Sequence, residues 1–190
     1  MSKPANLAEA EAIAPGLTPV YAEATALMVD VETPAGKKLA IDDHELIDTL
    51  RQGIRDRHEL TLLRSDRAMT DCRPVSLFSI QTVRQLSEEL GTNLDKRRFR
   101  ANIYLDLGFG TAFGENEFVG HTLQIGNKAV IALTDRDPRC KMITLDPDTA
   151  QANPEAMRHV ARVHDGKAGV YGAVLVEGTI RSGDQVQVMQ

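Results

Sequence analysis

The chain has 190 residues, 42% hydrophobic and 26% charged, with a formal net charge of −5 at pH 7, a balance that suits a globular domain with a real core and excludes a fibrous or wholly disordered chain. The negative charge argues against a general nucleic-acid surface, although a local basic cluster can still hold a phosphate. Cys72 and Cys140 are the only cysteines, too few for a disulfide framework, and neither a secretory apolar run nor a window near the ~20 apolar residues of a membrane span is present, so the expectation is a soluble, cytoplasmic protein in a reducing compartment.

Residues 1–20, carrying Pro4, Pro15 and Pro19, read as a flexible or extended lead-in, and residues 21–190 as a single domain, with two small subdomains as the other arrangement this length allows. A capping box at Asp42 with Glu45 three residues later, followed by Leu46, Ile47, Leu50 and Ile54, predicts a first helix. Leu60–Leu63 and Val75–Phe78 read as strands. A second helix is expected from Ser79, with Ile80, Val83, Leu86 and Leu90 on one stripe and Gly91 as its stop. Asn102–Leu105, Ala129–Leu133 and Met142–Leu145 have the short β-branched pattern of strands. Asn153-Pro154 starts a third helix with Met157, Val160 and Ala161 on one face, closed by Gly166. Val170–Val176 and Val186–Met189 complete a set of short strands separated by Gly, Asp and Pro. The predicted class is mainly β with α (α+β), a closed or partly closed β-barrel with peripheral helices.

Two places carry candidate chemistry. Lys96-Arg97-Arg98-Phe99-Arg100-Ala101-Asn102 holds four cations in five positions. If it enters a strand, alternation puts Arg98, Arg100 and Asn102 on one face. That face is either a solvated strand entrance or an anion site, where forked guanidiniums bind phosphate and the Asn amide adds a directional contact. Cys140 lies between Arg139 and Lys141, where flanking cations favour the thiolate. It is either a reactive or metal-binding sulfur or a small buried hydrophobe. His121, His159 and His164 approach it only through folding, so a Cys/His nucleophile is unsupported, and no spacing of His and Cys suggests structural zinc. His44 and His58 read as surface histidines, and Asp106, Glu115 and Glu117 as solvated charges of a Gly-rich loop.

Several of these segments, in this order, resemble the MOSC domain, named for the C-terminal domain of molybdenum cofactor sulfurase. They are Asp71 with Pro74–Leu77, Arg98–Ile103, Phe118–Gly120 with Leu123–Gly126, Arg139-Cys140 leading to Asp146–Thr149, and Gly169–Gly172 followed by Gly178 and Gly183-Asp184. The likeness is strongest over residues 70–190. It implies a MOSC-like β-barrel and a molybdenum cofactor (molybdopterin), with Cys140 as thiolate ligand and catalytic centre. Arg100 and Asn102 would hold the anionic pterin, with Arg98 on the same face and Arg139 contacting the cofactor or favouring the thiolate. Relatives such as the mitochondrial amidoxime reducing component reduce N-hydroxylated compounds, which implies an oxidoreductase component acting on N-hydroxylated or N-oxide substrates. A second implied role is a carrier module that holds a persulfide, or the cofactor, for another enzyme, and a third option is a barrel that has lost cofactor binding. Residues 17–40 lack the basic motif of reductase-type relatives, and the chain has no ferredoxin-type cysteine set. An electron-donor or sulfur-donor protein is therefore the expected partner, with neither nucleic acid nor membrane.

Overall fold

The structure is a computed structural model that describes residues 12–14, 29–54, 59–62 and 73–189. Cys72, Asp71, His58 and Leu63 lie outside the described residues, as does most of the proline-bearing lead-in. The chain divides into two compact units, one formed by Glu23–Arg67 and the other by Met1–Ala22 with Ala68–Gln190. No helix among the described residues is long and apolar enough to cross a membrane.

In the smaller unit, β1 (Asp30–Glu32) and β2 (Lys38–Ala40) form an antiparallel hairpin. Its turn needs Gly36, whose φ of +80° costs a residue without Cβ nothing. Helix α1 (His44–Gly53) follows. Its cap is Asp43 rather than Asp42: the Asp43 carboxylate accepts the Glu45 N–H at 2.8 Å. Of the apolar stripe expected here only Leu46 is buried, and Leu50 stays 52% exposed. The described residues 60–62 are not in a strand.

The larger unit is a curled, half-barrel sheet of six strands, in the order β4-β3-β7-β6-β5-β8. Its strands are β3 (Val75–Ser79), β4 (Ile103–Leu105), β5 (Thr122–Ile125), β6 (Ala129–Pro138), β7 (Lys167–Val176) and β8 (Val186–Met189). All neighbours are antiparallel except β3 and β4. A parallel pair needs a crossover, and helix α2 (Ile80–Leu90) with the 3-10 turn Lys96–Phe99 supplies it. Ser79 caps α2 by accepting the Thr82 N–H, and Gly91 ends it in the left-handed region at φ +62°. Helix α3 (Glu155–Val163) lies between β6 and β7, its first turn met by Asn153 Oδ1, which accepts the Glu155 N–H at 3.1 Å. Ala156 and Val160 form its buried stripe, and Ala161 is exposed.

Alternation along the strands sends residues to opposite faces. Phe78 joins Val83, Leu86, Phe99, Ile143 and Val160 under the helices, whereas Leu77 packs with Leu123, Ile131, Leu133 and Val170. Val130, Ala132, Ala173 and Leu175 form a third cluster, covered by Ile13 and Ala14. A sheet covered on both sides explains why β6 and β7 read as nearly continuous apolar runs. Both strands are longer than their apolar cores suggest, because the sequence Thr134–Pro138 continues β6 through register shifts at Leu133/Asp135 and Arg136/Pro138. Such bulges bend and re-aim a strand. They bring the chain to Arg139 and Cys140 at the strand's end.

Candidate functional site

The site is built where β6 ends and two 3-10 turns pack side by side. Residues Met142–Leu145, expected as a strand, instead begin in one of these turns (Lys141–Thr144), with only Leu145 making an isolated bridge to Ala152. Cys140 is its N-cap: the Sγ accepts the Met142 N–H at 3.5 Å. A residue whose own side chain meets a free N–H favours a turn over a strand, so local capping overrides the β-branched pattern. The Cys140 thiol is free and exposed.

Beside it, Lys96–Phe99 is the other turn. Asp95 caps it, accepting the Arg97 N–H at 2.8 Å. Arg100 then takes the left-handed conformation at φ +51°. The strand alternation expected to align Arg98, Arg100 and Asn102 is therefore absent: the first two straddle the end of a turn, and Asn102 immediately precedes β4.

The cations of this cluster have different fates. Arg97 is paired with Asp95 and, in a two-pronged contact of 2.8 and 2.7 Å, with Asp148. Arg98 donates to the Thr144 carbonyl at 3.1 Å and to Asp146 at 3.0 Å, tying the two turns together. Lys96 lies over the Tyr104 ring, 4.9 Å from its centroid. Arg100 is exposed, and no described residue hydrogen-bonds or ion-pairs with its side chain. Asn102 is occupied: its Oδ1 accepts from Ser76 N at 2.9 Å and Ser76 Oγ at 3.1 Å, and so joins β4's start to β3.

Arg139 is buried, with 6% of its side chain exposed, and ion-pairs with the equally buried Asp137. It donates to the carbonyls of Ala168 and Phe99, each at 2.8 Å, and lies over the stacked rings of Phe78 and Phe99. Burial pushes this guanidinium below its ordinary range against the pull of Asp137. Its bond to Phe99 sets Arg100 and Cys140 one residue to either side of the same bridge. Shallow clefts nearby are lined by Arg98 with Leu90, Asn153 and Glu155 on one side and by Arg98 with Asp146, Thr149 and Gln151 on the other; Cys140 lines neither.

Two features were not legible as chemistry in the sequence. Glu115, expected as a solvated loop charge, is completely buried and accepts from Ser79 Oγ at 2.7 Å and Thr82 Oγ1 at 2.9 Å at the start of α2. The Thr82 hydroxyl also accepts the Phe113 N–H at 2.7 Å, so the Gly-rich segment is fastened to α2. Asp106 is likewise held, by Gln81 Nε2 at 2.8 Å and Gly108 N–H at 2.9 Å. Separately, His159 and His164, 70 and 75 residues beyond Glu89 in the chain, both reach its carboxylate.

Comparison with known proteins bears out the family resemblance. The family model described as MOSC domain matches residues 64–187. The chain belongs to the MOSC domain family. Among solved structures it is similar to YiiM from Geobacillus stearothermophilus, at 16% sequence identity and a TM-score of 0.47, over 62% of this chain and 55% of that one. The chain thus spans little more than half the length of that relative. Comparison with curated proteins finds no match. In this MOSC domain, Cys140 and Arg100 are exposed, while contacts among the described residues engage Arg98, Asn102 and Arg139 in holding the two turns, β3 and β6 in place.

Proposed function

We propose that this MOSC domain binds molybdenum cofactor, with Cys140 as the thiolate ligand and Arg100 as the contact to the cofactor's phosphate, and that it serves as an oxidoreductase component for N-hydroxylated or N-oxide substrates. The observation that carries this is that the exposed Cys140 thiol and the exposed Arg100 side chain, which no described residue hydrogen-bonds, each directly follow one of the two residues joined by the Arg139–Phe99 hydrogen bond. The donor chemistry fits the group: a soft sulfur suits a sulfur-rich molybdenum centre, and a guanidinium fork suits phosphate. When bound, the cofactor supplies the metal at which a two-electron reduction takes place. The chain's own residues position and charge the site. The Met142 N–H holds the Cys140 sulfur, the Arg98–Asp146 pair fixes the turn that carries it, and the buried Arg139–Asp137 pair fixes the strand end. Electrons then come from a donor protein.

The exposure of the free thiol supports a second reading, a carrier in which Cys140 holds a persulfide received from a sulfur-donor protein. Protein purified from cells with intact molybdenum cofactor synthesis separates the two. Molybdenum near stoichiometry in the wild type and none in Cys140→Ser supports the cofactor-bound reading. Cyanolysable sulfur without metal supports the carrier, and equal molybdenum in both proteins removes Cys140 from the site.

A further inference from the structure

The last turn of α2 and the end of α3 bring three metal-capable side chains to one point. Glu89 Oε2 lies 2.6 Å from His159 Nε2 and 2.7 Å from His164 Nε2. One donor atom from each residue falls within 4.8 Å of the other two. Their side chains are 21%, 11% and 14% exposed, respectively, so the cluster is largely covered yet open to water at its edge. Burial would raise the Glu89 carboxyl, but hydrogen bonds from His164, Gln85 and His159, with the charge of His164, bring it down to about 2.

Two of the three side chains, Glu89 and His164, are also held from outside the cluster. Gln85 Nε2 donates to the other Glu89 oxygen at 2.9 Å, leaving Oε2 aimed at the imidazoles. The Phe113 ring stacks on His164 with centroids 4.2 Å apart. The His164 main chain is pinned on both sides, its N–H donating to the Val160 carbonyl at 3.0 Å and its carbonyl accepting from Lys167 at 2.9 Å.

We propose that Glu89, His159 and His164 form a binding site for a first-row divalent transition ion of the Zn²⁺ type, held by two imidazole nitrogens and one carboxylate oxygen with water in the remaining positions. Two nitrogen donors with one carboxylate suit zinc and its neighbours and disfavour the oxygen-seeking Ca²⁺ and Mg²⁺. At metal–donor distances of about 2.0–2.2 Å in a roughly tetrahedral arrangement, the donors stand about 3.3 Å apart. The carboxylate oxygen therefore withdraws by about 0.6 Å from its present hydrogen bonds, within reach of a side-chain torsion, and the ion takes the place of the two Nε2 protons. The alternative, a pair of hydrogen bonds that merely fasten α2 to α3, predicts no response to metal.

The test uses the full chain carrying Cys140→Ser, which removes the exposed thiol as a competing ligand and makes the result independent of cofactor binding. Titration with Co²⁺ should give visible d–d absorption of a low-coordinate site that saturates near one equivalent and is displaced by Zn²⁺. Gln85→Ala should weaken binding by about 10- to 100-fold, and Glu89→Gln by more. In the otherwise unmutated chain, where no variant needs to fold, Zn²⁺ should shift the imidazole NMR signals of His159 and His164 but not those of His44, His58 and His121. Unmoved signals at His159 and His164, or equal Co²⁺ affinity in Glu89→Gln, would overturn the proposal.

Discussion

Replacing Arg139 with methionine separates a structural arginine from a cofactor-contacting one. Methionine keeps the apolar stem against Phe78 and Phe99 but removes the guanidinium from beside the Asp137 carboxylate, where both side chains are at most 6% exposed. It also takes a charged donor from the carbonyls of Ala168 and Phe99. Breaking one partner out of a buried ion pair costs about 3–5 kcal/mol, which for a protein of this size is a fall in Tm of roughly 6–20 °C. The additional change Asp137→Asn removes the buried charge left behind and should restore a large part of the loss, as expected for two coupled partners. Urea unfolding followed by circular dichroism measures both. A loss below about 1 kcal/mol, the level of an exposed ion pair, would refute the reading of Arg139 as the anchor of the strand end and return it to the pool of ligand contacts.

Glu115→Ala should cost about 1.5–3 kcal/mol in the same assay, because it strips the buried Ser79 and Thr82 hydroxyls of their charged acceptor. Gly169→Ala should cost about 1–3 kcal/mol: a Cβ there would stand 2.7 Å from the Phe78 ring and 2.8 Å from the Leu77 carbonyl at φ +80°. Arg100→Ala should reduce cofactor retention by about 10- to 150-fold, a charge-assisted contact of ~1.5–3 kcal/mol, at unchanged Tm, whereas Arg98→Ala should lower Tm by loosening Thr144 and Asp146. Lastly, the hydrogen bonds from Arg97 to Asp95, from Gln81 to Asp106 and from the Thr149 N–H to Asp146 hold these carboxyls below their ordinary range. Folded-state values below the usual ~3.9 mean that the stability they add is complete above that value and is lost as pH falls beneath it. A pH series of urea midpoints should be flat on the neutral side and drop there, and Asp146→Asn should make the acid drop shallower.

The elements that could be read from the sequence were those whose local signals agree with their burial. In α2, Ser79, the stripe Val83 and Leu86, and Gly91 all point the same way, and the helix begins and ends where they place it. The turn Lys141–Thr144 was misread because its Met-Ile-Thr-Leu pattern suits a strand, and nothing in composition shows that a thiol accepts the Met142 N–H. The Glu89–His159–His164 cluster was illegible for a geometric reason. On an unbroken helix a separation of five residues turns about 140° around the axis, nearly to the opposite face. The two rings converge because α3 stops at Val163 and His164 leaves the helix at φ −121°. That departure is tertiary, fixed in part by the stacking of Phe113 from a distant loop.

Reading an anion site from Lys96–Arg100 overcounts its charge for a related reason. A sequence window shows the cations but not the acids that fold back onto them. Asp146 returns across 48 residues to Arg98, and Asp148 across 51 to Arg97, while Asp95 meets Arg97 from two positions before it. Arg100, Lys96 and Lys141 are the exposed cations of these two turns that no described carboxylate meets. The four-cation run thus serves mainly to lock the Lys96–Phe99 turn against the segment that follows Cys140. Arg100, the arginine of the run that no described residue engages, stands at the end of the turn with a left-handed backbone, and is therefore the arginine whose loss should be felt by a ligand rather than by the fold.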